Sequence, residues 1–300
     1  MSDADTSDVS DIPGISDIPG ISDIPGISDI PGISDVTAMQ RLSTMADRLA
    51  LQPVAGQTDV YASRWPCGRG HVFGGLIIGQ AVRAAQLTVA DDRPVHSLHA
   101  SFLVGGRGRE HLRHEVERTR DGSSFGTRRV VVRQSTGSVL VLTADFHADE
   151  HGLEYELPAT RGVPVPDGLP TGRYATRWID SRDAPVEAGS HTRRAWFRPI
   201  AAVPDDPLLH LQTLAYMSDH GPTRAARQPH ASLDADTTRM SVSLDHSVWF
   251  HRPVDVNQWL LSELVPVATG RGRGLSIGTI RTADGTLVAT LAQEVLLRAR

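Results

Sequence analysis

The chain of 300 residues contains no lysine, one cysteine and few aromatic residues. Without lysine, the protein cannot form a Schiff base on an ε-amino group or bind nucleotide phosphates through a P-loop lysine. The single cysteine, Cys67, excludes a disulfide framework and a zinc site built from several thiolates, and it is typical of a reducing compartment. No apolar run reaches the roughly 20 residues of a membrane-spanning helix, and the N-terminus has no signal-peptide pattern. These absences predict a cytoplasmic protein without a membrane segment.

A large excess of charge is also missing from most of the chain. The formal net charge is −5, but residues 1–38 alone contain eight aspartates and no basic residue. The rest of the chain has 30 arginines against 27 acidic residues, and this near-balance gives no reason to expect binding to nucleic acid or to a membrane. The length and the ordinary share of apolar residues are sufficient for one large domain or two smaller ones.

The N-terminal part of the chain is a short repeat. The hexapeptide Ser-Asp-Ile-Pro-Gly-Ile occurs four times in residues 10–33. A proline and a glycine in every six residues prevent a helix and interrupt strand pairing. We therefore interpret residues 1–37 as a disordered acidic tail, with docking of the tail on a partner as the alternative.

The remainder of the chain has the same order of predicted elements twice. In residues 38–150, a short polar helix over 38–51 precedes an apolar helix that begins at Gly74. Four strands follow this helix, over residues 95–103, 112–119, 128–134 and 139–147. In residues 191–300, a helix over 208–217 precedes strands over residues 241–250, 259–267, 275–281 and 286–297. A connector rich in proline and glycine, residues 151–190, joins the two copies. The pattern predicts an internal duplication with an α+β fold.

Several motifs outside the tail are shared with a known family. They are His71-Val72-Phe73-Gly74-Gly75, Gly79-Gln80-Ala81, and the segments VHSLH at 95–99, RDGSSF at 120–125 and LDHSVWFHRP at 244–253. Through these motifs, residues 40–300 resemble the type II acyl-CoA thioesterases, which are related to bacterial thioesterase II. The resemblance implies a double hotdog, in which each of two tandem repeats wraps an antiparallel sheet around a central helix. It also implies hydrolysis of a fatty acyl-CoA to a free fatty acid and CoA, no cofactor, and a homo-oligomer (a dimer or a tetramer).

Two other patterns could carry different chemistry. The sequence GSSFG at 122–126 matches the G-x-S-x-G motif, but Ser124 would be a nucleophile only on a sharp turn from a strand into a helix. The β-branched residues after it predict a strand, so we favour a loop. His96 and His99 lie three positions apart in a predicted strand, point to opposite faces and cannot bind one metal ion. We therefore expect no metal site, and we interpret GRGRG at 270–274 as a hairpin connection.

Three polar residues of the second copy are the candidates for catalysis. Asp219 ends a short helix, where a carboxylate gains nothing from the helix dipole. Ser243 is predicted to share a strand face with Asp245 and Ser247. Gln293 lies inside an apolar strand, where an amide needs buried partners. Each residue alone is compatible with a structural role, but the resemblance implies that Asp219, Ser243 and Gln293 hold the water that attacks the thioester, with Asp219 as general base.

The resemblance also indicates where the substrate binds. The N-terminus of the helix that begins at Gly74 and Gly75 offers free backbone N–H groups to the developing oxyanion, and we assign His71 to the same substrate-binding group. The phosphates of CoA need arginine, for which Arg128, Arg129 and Arg271 are candidates by residue type alone.

The first copy is predicted to lack a working site. When the hairpin turns of the two copies are aligned, Asp145 takes the position of Gln293. We therefore expect one site per chain, where the copies meet. Two alternatives remain: a hotdog-fold enoyl-CoA hydratase, whose Asp-x-Asn-Pro-x-x-x-His pattern the sequence does not contain, and a non-catalytic acyl-CoA binding module, which would release no thiol.

Overall fold

The structure is a computed structural model that describes residues 44–230 and 238–299. The repeats of the N-terminal tail and the first part of the predicted polar helix lie outside the described residues, so the disorder of the tail stays a prediction. No helix in the described ranges has the length and apolar character needed to span a bilayer.

The elements follow the predicted order. The helices are α1 (Met45–Leu49), α2 (Gly74–Gln86), α3 (Pro207–Ser218) and α4 (Pro222–Arg227). The strands of the first half are β1 (Leu51–Pro53), β2 (Val60–Ser63), β3 (Val95–Phe102), β4 (Arg113–Asp121), β5 (Phe125–Gln134) and β6 (Gly137–His147). Those of the second half are β7 (Ile179–Asp183), β8 (Arg193–Pro199), β9 (Thr238–Ser243), β10 (Asp245–Phe250), β11 (Leu260–Gly270), β12 (Arg273–Thr282) and β13 (Leu287–Ala299). All eight predicted strands are present, with that over 241–250 divided into β9 and β10.

The described strands form one antiparallel sheet in which the order of equivalent strands is symmetric about the centre. The order is β1-β2-β4-β5-β6-β3-β10-β13-β12-β11-β8-β7, and β9 pairs with β13 beside this path. Counted outwards from the central pair β3 and β10, each strand of the first half has a counterpart in the second, from β6 and β13 to β1 and β7. The predicted duplication is therefore confirmed, and the two copies share a sheet.

The central strand pair has local two-fold symmetry. His99 lies opposite Ser247, and Ser97 lies opposite Trp249. The shift of 150 positions that aligns His96 with His246 turns each of these pairs into the other. Because an antiparallel pair with equivalent strands is symmetric about its midpoint, β3 and β10 join the copies as the two halves of a dimer would be joined.

The central helices pack closely against each other. Helix α2 packs against strands of the first half and against α3. A β-carbon on Gly75 would lie 2.3 Å from the backbone oxygen of Tyr216, and one on Gly79 would lie 3.2 Å from that of Gln212. These glycines are four positions apart, so they form a seam along α2 that lets the backbone of α3 approach. The seam brings the start of α2 next to the end of α3.

Candidate active site

The candidate site forms where the start of α2, from the first half, meets the end of α3, from the second half. Asp219 is the C-cap of α3. A β-carbon on Gly74 would lie 2.7 Å from Oδ2 of Asp219, so the carboxylate rests against the first turn of α2. The backbone N–H of Gly75 donates a hydrogen bond to this carboxylate. Because the first N–H groups of a helix lack intrahelical acceptors and carry partial positive charge, the start of α2 is a favourable neighbour for an anion.

Asp219 is not an ordinary aspartate. The residue as a whole keeps some contact with solvent, but burial of its carboxyl group raises its pKa from 3.8 to about 7. Hydrogen bonds from the Gly75 backbone and the Gln293 side chain act in the opposite direction and lower the pKa. A carboxylate with a pKa near neutrality is a competent general base, which could not be foreseen from a residue at a helix end.

Gln293 connects the other candidates to Asp219. It lies in β13 and is fully buried. Its Nε2 atom lies 2.7 Å from Oγ of Ser243 and 3.2 Å from Oγ1 of Thr223, and its side chain also hydrogen-bonds Asp219. The structure therefore brings the three predicted residues together. Thr223, in the short helix α4, was not predicted, because one threonine in so short a helix has no sequence pattern.

A β-bulge between β9 and β10 determines which residues face Gln293. Ser243 lies opposite Val295, whereas Ser247 lies opposite Ala292, so the strand carrying the serines has one extra residue. Since side chains alternate along a strand, the bulge places Ser243 on the face opposite to Asp245 and Ser247. The prediction that these three residues share a face was wrong.

The bulge also turns a buried histidine towards Gln293. Nδ1 of His246 lies 2.6 Å from Oε1 of Gln293, and Nε2 lies 2.8 Å from Oγ of Ser218. Burial lowers the pKa of His246 to about 4, so the ring is neutral at physiological pH. His246 is not among the residues predicted for the site. Its place inside the longest family motif is the signal that could have identified it.

The remaining substrate-binding candidate, His71, lies apart from these contacts. Gly74 and Gly75 are at the site, but His71 is exposed and its backbone pairs with Arg107. The contacts of His71 place it beside the 105–107 loop. Its role in substrate binding stays a prediction.

The arginines proposed for CoA have different environments. Arg128 is fully buried and donates hydrogen bonds to both oxygens of Thr88, to the Arg120 carbonyl and to Asp121. A guanidinium with its donors used inside the protein has a structural role, so the assignment of Arg128 to CoA is corrected. Arg129 is exposed and lies 3.4 Å from Glu117, and Arg271 is exposed in the turn between β11 and β12.

Two sequence interpretations about loops are confirmed. Ser124 lies in the turn between β4 and β5 and is followed by a strand, so the strained elbow of serine hydrolases is absent at this position. Arg271 and Gly272 have φ angles of 51° and 75° and form the predicted hairpin between β11 and β12. Within the described ranges, no group of three or more His, Cys, Asp or Glu side chains is arranged to hold a metal ion.

The first copy has no amide at the position that corresponds to Gln293. Asp145 lies opposite Ser97 as Ala292 lies opposite Ser247, so the counterpart of Gln293 is Phe146 and not Asp145. The alignment based on turns was wrong by one residue because the bulges lie at different places in the two copies. Phe146 is fully buried and has no hydrogen-bonding group, so this position cannot hold a water.

The opposite end of the helix pair also differs from the site. There the end of α2 and the start of α3 border an open cleft of about 580 Å³, with Arg83 and Gln212 among its lining residues. The Asp206 side chain accepts hydrogen bonds from the backbone N–H groups of Leu208 and Leu209, at 3.0 and 3.2 Å. The first donors of α3 are thus already used, whereas α2 has Phe73 as its N-cap and receives no side-chain cap.

Comparison with known proteins gives this architecture a context. A family model described as the acyl-CoA thioesterase N-terminal domain matches residues 61–147, and one described as the C-terminal domain matches residues 148–297. The chain is 31% identical over 256 residues to acyl-CoA thioesterase 2 of Haemophilus influenzae, covering 76% of this chain and 87% of that protein. It is 32% identical over 260 residues to human acyl-coenzyme A thioesterase 8, covering 76% of this chain and 81% of that protein.

Solved structures agree with the fold. The acyl-CoA thioesterase II TesB2 of Mycobacterium marinum is 34% identical, with a TM-score of 0.75 over 85% of this chain and 97% of that chain. A protein of unknown function with a hotdog fold from Alicyclobacillus acidocaldarius is 19% identical, with a TM-score of 0.71 over 85% of this chain and 98% of that chain. The second likeness concerns the fold alone, and together they confirm the predicted double hotdog.

Proposed function

The chain belongs to the acyl-CoA thioesterase family, and we propose that it hydrolyses fatty acyl-CoA by direct attack of a water that Asp219, Ser243 and Gln293 hold. It is a thioester hydrolase that acts on acyl-CoA. The proposal concerns the fatty acyl group, the identity of the catalytic residues and the nature of the attacking group. The observation that carries it is the Gln293 amide, which contacts both Ser243 and Asp219 beside the start of α2.

In the first step, Asp219 removes a proton from the water as the water oxygen bonds to the thioester carbonyl carbon. The water would donate its other proton to Oγ of Ser243, which leaves a lone pair free for the attack. Oγ of Ser243 can accept this bond beside the one from Gln293, because a hydroxyl oxygen has two lone pairs. General-base catalysis of this kind contributes about 10²–10⁴ in rate.

The tetrahedral intermediate carries a negative charge on the former carbonyl oxygen. The start of α2 supplies the backbone N–H of Gly74 and a favourable dipole for this oxyanion, because the N–H of Gly75 is already donated to Asp219. Gly74 also lets the thioester approach the backbone closely. The C–S bond then breaks, and the CoA sulfur leaves as a thiolate. It takes the proton from Asp219, so the base is regenerated and the products are the fatty acid and CoA.

Direct attack by Ser243 is the competing mechanism. It is chemically feasible, since the raised pKa of Asp219 would let this carboxylate accept a proton from the serine hydroxyl. The hydroxyl group of Ser243, however, contacts Gln293 and lies 3.5 Å from Thr223, which favours a positioning role. An acyl-serine intermediate would accumulate as a covalent adduct if its hydrolysis were slow.

The test of the proposed site is Asp219→Asn, which keeps the size of the side chain and removes the base. We expect thiol release from a long-chain acyl-CoA to fall by about 10²-fold or more while KM changes little. Glu187→Gln, which neutralises an exposed carboxylate in the connector, serves as the control and should keep wild-type turnover. Full activity of Asp219→Asn would refute the assignment.

We further propose a homo-oligomer that uses the outer face of the sheet. Trp249 in β10, Ile277 in β12 and Val265 in β11 are 38%, 45% and 43% exposed. The strand register places them on one face of the sheet. Ile277 lies opposite both Val265 and Ala292. Ala292 in turn lies opposite Ser247, which is two residues before Trp249 and so shares its face. Light scattering on the wild type and on Ile277→Arg tests the proposal, which predicts a smaller particle for the variant and fails if both are monomers.

A further inference from the structure

His246 and Ser218 have no role in the reaction steps given above. They nevertheless form a buried chain of hydrogen bonds that ends at Gln293. His246 is fully buried, and Ser218 is nearly so. The chain runs from Oγ of Ser218 to Nε2 of His246 over 2.8 Å, and from Nδ1 of His246 to Oε1 of Gln293 over 2.6 Å. The far side of the Gln293 amide then faces Ser243 and Thr223.

The two ends of this chain determine the direction of its hydrogen bonds. A glutamine amide can be turned by 180°, which exchanges its oxygen and its NH₂ group. The observed orientation directs NH₂ towards Ser243 and leaves Oε1 to accept a hydrogen bond from His246. Nδ1 of His246 must therefore carry the proton of the neutral ring. Nε2 must then accept a hydrogen bond from the Ser218 hydroxyl.

Ser218 is coupled to the tautomer of the ring through the direction in which it donates its single proton. Its hydroxyl also lies 2.9 Å from the carbonyl oxygen of Ala215, the alternative acceptor for its single proton. If Ser218 donated to Ala215, Nε2 of His246 would have to donate to Ser218. Nδ1 of the neutral ring would then face Oε1 of Gln293 without a proton between them, an unfavourable contact of two acceptors. Donation from Ser218 to His246 avoids this contact.

We propose that His246 and Ser218 are positioning residues that fix the orientation of the Gln293 amide and thereby its NH₂ group towards Ser243 and Asp219. The inference rests on the proposed function, because it acts through a glutamine whose catalytic role is itself proposed. It adds two residues to the machinery of the reaction, neither of which contacts the substrate.

The proposal has a consequence that a purely structural role would not have. Reversing the amide would remove the hydrogen bond from Gln293 that lowers the pKa of Asp219 and would direct a carbonyl oxygen towards the carboxylate. The pKa of Asp219 would rise, and the acid limb of the pH–rate profile would move to higher pH.

The titratable groups near Asp219 do not change the acid limb of the pH–rate profile through their own titration. His220, next in the chain, and His246 have pKa values lowered by burial to about 4. Tyr216, on α3, has a pKa raised by burial to about 12. Among these groups, only Asp219 titrates between pH 5 and pH 9.

Three variants separate the roles of the chain. His246→Leu removes both hydrogen bonds of the ring, His246→Asn keeps an amide donor at the position of Nδ1, and Ser218→Ala removes only the outer donor. The matched control is His114→Leu, because His114 is also fully buried and neutral, with its pKa lowered to about 3, but contacts Gln80 in the first half. Each variant is characterised by its melting temperature, kcat, KM and the pH dependence of kcat.

We expect kcat of His246→Leu to fall about tenfold or more with KM within twofold of wild type, and its acid limb to rise by about one pH unit. Ser218→Ala should lower kcat by about threefold and move the acid limb to higher pH. His246→Asn should keep most of the wild-type activity. His114→Leu should lower the melting temperature and leave the acid limb in place.

Asp219→Asn, measured alongside, distinguishes the two proposals. If that variant is fully active, the proposed site is wrong. If it is inactive while folded His246→Leu keeps the kcat and acid limb of wild type, only the positioning role is overturned. His246→Asn as impaired as His246→Leu would also overturn it. Should His246→Leu fail to fold, Ser218→Ala decides the question, and an unchanged kcat and acid limb in that variant would refute the proposal.

Discussion

The carboxylate of Asp219 lies against Gly74, so close that a β-carbon on the glycine would stand 2.7 Å from Oδ2. The two residues come from different copies of the duplicated unit, 145 positions apart in the chain. The contact places the proposed general base at the start of a helix whose dipole can stabilise negative charge. Several testable consequences depend on this geometry.

The pH dependence of turnover follows from the raised pKa of Asp219. The base is active only when it is ionised, so kcat/KM should rise with pH and level off above an apparent pKa of about 7. Thiol release measured between pH 5 and pH 9 tests this. A plateau that extends down to pH 5 would mean that an ordinary carboxylate, or a different group, is the base.

The stability of the protein should change in the opposite direction over the same range. The folded pKa of Asp219, about 7, lies above its usual value of 3.8, so the folded state retains a proton that the unfolded state has released. The stabilising contribution is complete below pH 4 and is lost as the pH rises to 7. The melting temperature of the wild type minus that of Asp219→Asn should therefore be smaller at pH 8 than at pH 5. An equal difference at both pH values would contradict the raised pKa of Asp219.

Substitutions of Gly74 and Gly75 should have different effects. A methyl group on Gly74 would meet side-chain atoms of Asp219 and Phe102, which can move, so Gly74→Ala should fold and lose about tenfold or more in kcat. A methyl group on Gly75 would meet the backbone oxygen of Tyr216 at 2.3 Å, so Gly75→Ala should lose about 1–3 kcal/mol of stability.

Denaturant unfolding and steady-state kinetics on both variants check this pair of outcomes. Gly152→Ala is the control, since a β-carbon there meets nothing within 4 Å. Wild-type kinetics in Gly74→Ala would show that the carboxylate does not need its observed position.

The contributions of Ser243 and Gln293 should not be independent. Each alanine variant should lose about tenfold to a hundredfold in kcat, because each loses one group that holds the same water. The double variant should lose less than the product of the two single losses, since the water is already misplaced in either one. Losses that multiply fully would indicate two separate roles.

The nature of the attacking group can be read from the first turnover. We predict no burst of CoA release on rapid mixing and near wild-type activity for Ser124→Ala, whose residue lies in a hairpin turn. Mass spectrometry of the enzyme quenched during turnover should find no acyl adduct. An adduct on Ser124 or Ser243 would place the protein among the covalent hydrolases.

Much of this architecture could be predicted from the sequence because it depends on local patterns. The eight predicted strands alternate or are β-branched, and the apolar residues around α2 required a helix covered on all sides. Strands β1, β2, β7 and β8 are short or lie in polar segments, where pairing with a neighbour decides the conformation and local preference does not.

The details of the site were less accessible because they depend on register and burial. One extra residue between β9 and β10 changed the face of every side chain after it, and no local signal marks that bulge. The pKa of Asp219 results from desolvation by parts of the chain far away in sequence. Arg128 was proposed for CoA by residue type, and only its buried partners identify it as structural.

The pairing of β3 with β10 makes catalysis a property of the junction between the copies. The first copy contributes the helix start and the second contributes the proposed base, so neither copy alone holds the whole proposed site. The halves are no longer interchangeable, and the chain functions as an asymmetric dimer with a covalent tether. We therefore expect a substitution that loosens the central strand pair to abolish turnover although it replaces none of the proposed catalytic residues. Activity should then be lost when the halves separate, before either half unfolds.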